Sequence, residues 1–205
     1  SASSAILCAI LTARERATGW RANEEGVGGV EPLTVYCSTE THSATEKNVK
    51  IAGLGRRNLR KIPVDDRFAM RADALEAELA KDRAAGATPV CVVATLGTTG
   101  VGAVDPLRAI GEVCRRHGVW LHVDAAWAGS ALLLPAHRWM IDGIEHVDSF
   151  VTNPHKWLLT NFDCSAYFVR DPDALVRTFE ILPAFLKTRE RGQVIDYRDW
   201  SVQLG

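Results

Sequence analysis

The sequence predicts an α/β fold, a mostly parallel sheet with helices on both faces. Three observations predict it. Short apolar, β-branched runs at residues 89–96, 119–123 and 147–151 read as buried strands. Helix-like stretches stand between them, so strands and helices alternate along the chain. The joins are short and rich in Gly or Asp, as at Gly97, Asp105-Pro106 and His117-Gly118. No internal repeat is visible.

In chain order, residues 5–16 have the composition and periodicity of a well-buried helix, and Gly19 stops it. Ser1-Ala2-Ser3-Ser4 sits where N-caps sit. That end is either a plain cap or a site for an anion such as a phosphate. Residues 31–37 read as a strand in which Leu33, Val35 and Cys37 alternate with other residues. Thr39-Glu40-Thr41-His42-Ser43 then caps a helix running to about Ala52. Residues 59–64 are a short strand and residues 74–85 an amphipathic helix. Pro89 opens a central strand that ends at Leu96. The Gly97–Gly102 loop that follows is either a flexible turn or a ligand loop at a strand's C-terminal end. Asp105-Pro106 starts a helix with proline in its first turn. The strand at 119–123 delivers Asp124. A helix at 135–143 precedes the strand at 147–151, which delivers the Lys156 loop. A further strand at 163–170 is expected beside that loop, and Asp171-Pro172-Asp173 caps a helix at 174–180.

The 205 residues suffice for one sizeable core. With 24 Lys and Arg against 25 Asp and Glu, the balance points to an ordinary globular domain, not a nucleic-acid binder. The short basic cluster Arg56-Arg57-Asn58-Leu59-Arg60-Lys61 reads as a solvated turn, because it has no wider basic context. No run of 18 apolar residues exists, so no membrane span is expected. The five cysteines, Cys8, Cys37, Cys91, Cys114 and Cys164, form no C-x-x-C pair. Neither a metal site nor a redox motif is indicated, and a reducing cytoplasm fits.

Lys156 in Thr152-Asn153-Pro154-His155-Lys156-Trp157 has two readings. One is an exposed loop lysine. The other is a partly desolvated amine that forms a Schiff base with a carbonyl cofactor. The second gains from Asp124, a carboxylate at the end of another strand. One loop with a carboxylate and one with a lysine are what pyridoxal phosphate needs, for its ring nitrogen and its aldehyde.

His122-Val123-Asp124-Ala125-Ala126-Trp127-Ala128-Gly129-Ser130 and Asn153-Pro154-His155-Lys156-Trp157-Leu158-Leu159, followed by Asn161-Phe162-Asp163-Cys164-Ser165, resemble the group II pyridoxal-phosphate decarboxylases. Within that group they resemble most the aromatic L-amino-acid decarboxylases. The glutamate decarboxylase branch typically departs from the Trp157-Leu158-Leu159 and Asn161-Phe162-Asp163 patterns. The resemblance covers essentially the whole chain and implies the large domain of the type I pyridoxal-phosphate enzymes, an aspartate-aminotransferase-like fold. It implies that residues 1–205 are an internal part of that domain, without an N-terminal segment and a C-terminal small domain. It also implies a homodimer.

The resemblance further implies pyridoxal 5'-phosphate as cofactor. Lys156 would hold the aldehyde, Asp124 the ring nitrogen, and His42 would stack on the ring. Thr99 and Ala126 would contact the cofactor. Asn153 and the Ala2-Ser3 helix end would hold the phosphate, with His155 near the phosphate or substrate. The reaction implied is decarboxylation of an aromatic amino acid to an amine and CO2.

One position departs from the family pattern. A tyrosine in a Pro-x-Tyr-Leu context protonates the substrate carbon in the family, whereas this chain has Leu182-Pro183-Ala184-Phe185-Leu186-Lys187. Phenylalanine has no acidic proton. Either Phe185 shifts the product toward an aromatic acetaldehyde, ammonia and hydrogen peroxide, or it is a packing change and Tyr197 or a water supplies the proton.

Overall fold

A computed structural model describes residues 1–29, 31–181 and 197–202. Six strands form one sheet: β1 (Leu33–Ser38), β2 (Leu59–Ile62), β3 (Thr88–Thr95), β4 (Trp120–Asp124), β5 (Ser149–Thr152) and β6 (Ala166–Val169). Their order across the sheet is β2-β1-β3-β4-β5-β6. All neighbours pair in parallel except β5 and β6, which are antiparallel. The seven helices among the described residues are α1 (Ala2–Thr18), α2 (Arg21–Glu25), α3 (Ala44–Ile51), α4 (Ala72–Ala84), α5 (Leu107–His117), α6 (Pro154–Trp157) and α7 (Pro172–Phe179).

The sheet separates two cores. On one face, Ile6, Ile10 and Ala13 of α1 and Val49 of α3 pack on Val35, Cys37, Val93 and Trp120. On the other, Leu75 and Leu79 of α4 and Ile110 and Val113 of α5 pack on Tyr36, Val92, Leu121 and Val123. Burial of apolar area on both faces is the main stabilising term here. It also corrects the expected alternation in β1, where all six residues are buried. A strand covered on both faces has no solvent side to alternate with.

Several boundaries differ from the sequence expectation. Helix α1 begins at Ala2, not at 5, and the Ser4 N–H donates to the Ser1 hydroxyl at 3.4 Å. Gly19 ends it in the left-handed conformation, φ 62°, as expected. Pro106 stands at the N-cap of α5, outside its first turn. Ser43 is the N-cap of α3 without a side-chain bond to the helix. The expected helix at 135–143 is a 3-10 segment, Pro135–Ile141, in a chain of such segments between β4 and β5. The Leu134 N–H donates to Ala131 and the His137 N–H to Leu134, both i→i−3 bonds. Gly143 turns the chain at φ 94° just beyond this segment.

Candidate active site

The C-terminal ends of β1, β3, β4 and β5 and the N-terminus of α1 converge on one cleft of about 200 Å³. Ala2, Ser3, His42, Thr99, Asp124, Ala126, Asn153, His155 and Lys156 all line it. These nine residues are the described ones that the motifs single out. Phe185 lies outside the described residues.

Each element presents its residue for a local reason. β4 ends at Asp124, a residue only 5% exposed. The Ala126 N–H donates to Asp124 Oδ1 at 3.0 Å. Burial pushes the Asp124 pKa up, while the Ala126 N–H, Lys156 and His42 push it down. A buried carboxylate in that balance is suited to a cationic partner in the cleft.

His42 follows β1 and accepts from the Ala44 N–H through Nδ1 at 3.2 Å. In the neutral ring the proton therefore sits on Nε2. The turn after β3 is tied internally. The Gly97 and Thr98 N–H groups both donate to the Ala103 carbonyl, and the Ala103 N–H donates to Thr98 Oγ1 at 3.0 Å. That turn exposes Thr99 at the cleft. Gly97 adopts φ 79°, and a methyl group there would meet Ala128 and the Trp127 ring at 2.7 and 2.9 Å. Only glycine combines that conformation with that closeness.

Asn153 caps the short helix α6, and its Oδ1 accepts from the Ser165 hydroxyl at 2.7 Å. His155 Nδ1 lies 2.8 Å from the Cys164 carbonyl and 3.3 Å from Asp163 Oδ1. The Asn161–Ser165 stretch thus braces the Lys156 loop from behind. Lys156 itself is exposed, so this chain does not supply the desolvation expected around it.

The α1 N-terminus presents backbone N–H groups without intrahelical acceptors, beside the small residues Ala2 and Ser3. Asn48 anchors that end by donating Nδ2–H to the Ser3 carbonyl at 2.7 Å. A 17-residue helix also brings its dipole to bear there. The donor set fits a flat aldehyde carrying a basic ring nitrogen and a phosphate. It offers an amine, a buried carboxylate, an imidazole and a helix N-terminus.

Motif reading assigned no site role to Thr95, Trp127 or Phe162, which also line the cleft. Thr95 is the last residue of β3, a strand-end position that signals a ligand site in open α/β sheets. Trp127 packs edge-to-face on Trp157, with ring centroids 4.8 Å apart. Phe162 meets His155 in the same way, also at 4.8 Å. The described residues contain no cluster of His, Cys, Asp or Glu able to hold a metal ion. No described helix is long and apolar enough to cross a membrane. All five cysteines are free.

The model of the pyridoxal-dependent decarboxylase conserved domain matches residues 1–205. An aromatic-L-amino-acid decarboxylase of Bos taurus is 44% identical over 211 residues, spanning 100% of this chain and 43% of that protein. A phenylacetaldehyde synthase of Arabidopsis thaliana is 42% identical over 209 residues, spanning 100% of this chain and 42% of that protein. The crystal structure of Oryza sativa TDC with PLP and tryptamine superposes with a TM-score of 0.93 at 39% identity. It is covered over 42% of its length by the whole of this chain. The chain thus spans less than half the length of these relatives. Its sheet and flanking helices are those of the type I pyridoxal-phosphate enzymes. The chain belongs to the pyridoxal-dependent decarboxylase family.

Proposed function

We propose that the protein is a pyridoxal-5'-phosphate-dependent carboxy-lyase that converts aromatic L-amino acids to amines and CO2. One observation carries this reading: Lys156, Asp124, His42 and the α1 N-terminus meet in a single cleft. Lys156 binds the cofactor aldehyde. The N–H groups at Ala2 and Ser3 and the Asn153 side chain hold the phosphate. The Asp124 carboxylate keeps a proton on the ring nitrogen, and His42 covers the ring. Thr99 and Ala126 would contact the cofactor, and His155 would stand near the phosphate or substrate. When bound, the cofactor supplies a conjugated ring that takes up the electron pair of the broken C–COO⁻ bond. A homodimer and membership of a larger cofactor-binding domain are carried over from the family, and the scattered cysteines fit a reducing cytoplasm.

A second reading rests on Phe185 and on the similarity to a phenylacetaldehyde synthase. A phenyl ring cannot hand a proton to the substrate carbon. With O2 and water as co-reactants, the amino acid then yields aldehyde, CO2, ammonia and hydrogen peroxide.

The first test is a visible absorbance band on adding pyridoxal phosphate, lost in Lys156→Ala. No band in the intact protein would sink the proposal. Amine, aldehyde, peroxide and CO2 are then measured together over a panel of aromatic amino acids. Amine equal to CO2 supports the first reading, and peroxide rising with CO2 supports the second. No CO2 from any of them removes the aromatic assignment.

A further inference from the structure

Among the described residues, Thr95 is the one lining residue of the cleft with a buried side-chain oxygen that has no hydrogen-bond partner. Thr95 is 4% exposed. Its backbone is held from outside the cleft. The Thr95 N–H donates to Asp105 Oδ2 at 2.7 Å, and the Asp105 N–H donates back to the Thr95 carbonyl at 3.0 Å. The second Asp105 oxygen accepts from the Met70 N–H, also at 2.7 Å. The position of Thr95 is therefore set, and only its hydroxyl is left without a task.

Thr95 and Asp124 are register partners on β3 and β4. Their side chains leave the same face of the sheet, on strands about 4.8 Å apart. The run before Thr95 is Val90-Cys91-Val92-Val93-Ala94, so a valine would suit the strand equally well. It would avoid the cost of a buried, unbonded hydroxyl. One Asp124 oxygen already accepts from the Ala126 N–H. A donor beside this carboxylate is useful when the carboxylate must stay ionised against a cationic ring nitrogen.

We propose that Thr95 is a positioning residue of the site. With the cofactor bound, its hydroxyl donates to the Asp124 carboxylate and holds it toward the protonated ring nitrogen. This rests on the cofactor reading above, and it assigns the Thr95 hydroxyl a role that acts through Asp124 alone.

That dependence makes it testable without turnover. Equilibrium dialysis of the full-length protein would measure Kd for pyridoxal phosphate and for its analogue with CH in place of the ring nitrogen. Both molecules keep the aldehyde and the phosphate, so Lys156 and the α1 N-terminus serve them alike. Thr95→Val is expected to weaken the natural cofactor by about 10-fold or more. Binding of the analogue should stay unchanged, and Thr95→Ser should restore the natural cofactor. Thr95→Ala takes the place of valine if that variant does not fold. Equal weakening of both molecules would mean packing and overturn the proposal, as would unchanged binding of both. If the unsubstituted protein binds neither, the cofactor reading falls and this one with it. Normal binding there, with no selective loss in the variants, removes this inference alone.

Discussion

Gly129 lies directly against the Thr152 side chain, with no room for a methyl group between them. The contact locks the segment after β4, which carries Asp124 and Ala126, to the end of β5, which leads into Asn153 and Lys156. Gly129→Ala is expected to destabilise the protein by about 1–3 kcal/mol through overpacking and to weaken cofactor binding. Gly28→Ala is the control, because a methyl group there meets nothing within 4 Å. Thermal melting of both variants checks the contrast. Equal melting temperatures would contradict the packing argument.

Asp105 receives two backbone N–H groups, from Met70 and Thr95, and burial pushes its pKa up to about 6. A folded-state pKa above the usual 3.8 means that the native state holds the proton more tightly than the unfolded chain. This contribution is present in full below pH 3.8 and is lost as the pH rises through about 6. Asp105→Asn offers one acceptor where two are needed, at a cost of about 1–3 kcal/mol. The stability gap between the two proteins should narrow from pH 4 to pH 7 in denaturant titrations, on the order of 1.4 kcal/mol per unit at most.

His122 has the opposite sign. It is fully buried, its Nδ1 lies 2.9 Å from the Ser149 hydroxyl, and burial pushes its pKa down to about 3. Its stabilising contribution is present in full above pH 6.5 and is lost as the pH falls toward 3. His122→Asn should flatten the acid side of the stability profile below about pH 6. An unchanged acid limb in urea unfolding would show that other groups set it.

Phe185→Tyr supplies a phenol where the family pattern has one. If the protein forms aldehyde, this substitution should raise the ratio of amine to peroxide by about 10²-fold or more, the usual range for a restored general acid. If the protein already forms amine, the ratio should not move. Simultaneous amine and peroxide assays read it directly.

The sequence alone determined the layered α/β fold and marked the residues proposed to carry the chemistry. Alternating strands and helices are written in local periodicity, and Asp124 and Lys156 announce themselves because each ends an apolar strand inside a long, specific motif. Local patterns also marked Gly19 as a helix stop. Only the tertiary structure decided which side chains meet across strands. The Thr95–Asp124 register, the Asp105 bonds to Met70 and Thr95, and the closeness of Gly129 to Thr152 join residues 10 to 35 positions apart. Such contacts depend on strand pairing and on how each loop returns to the sheet. A one-residue slip would turn Thr95 to the opposite face and empty that side of the cleft. The 3-10 path through Pro135–Ile141, where local composition had suggested an ordinary helix, is likewise a tertiary choice.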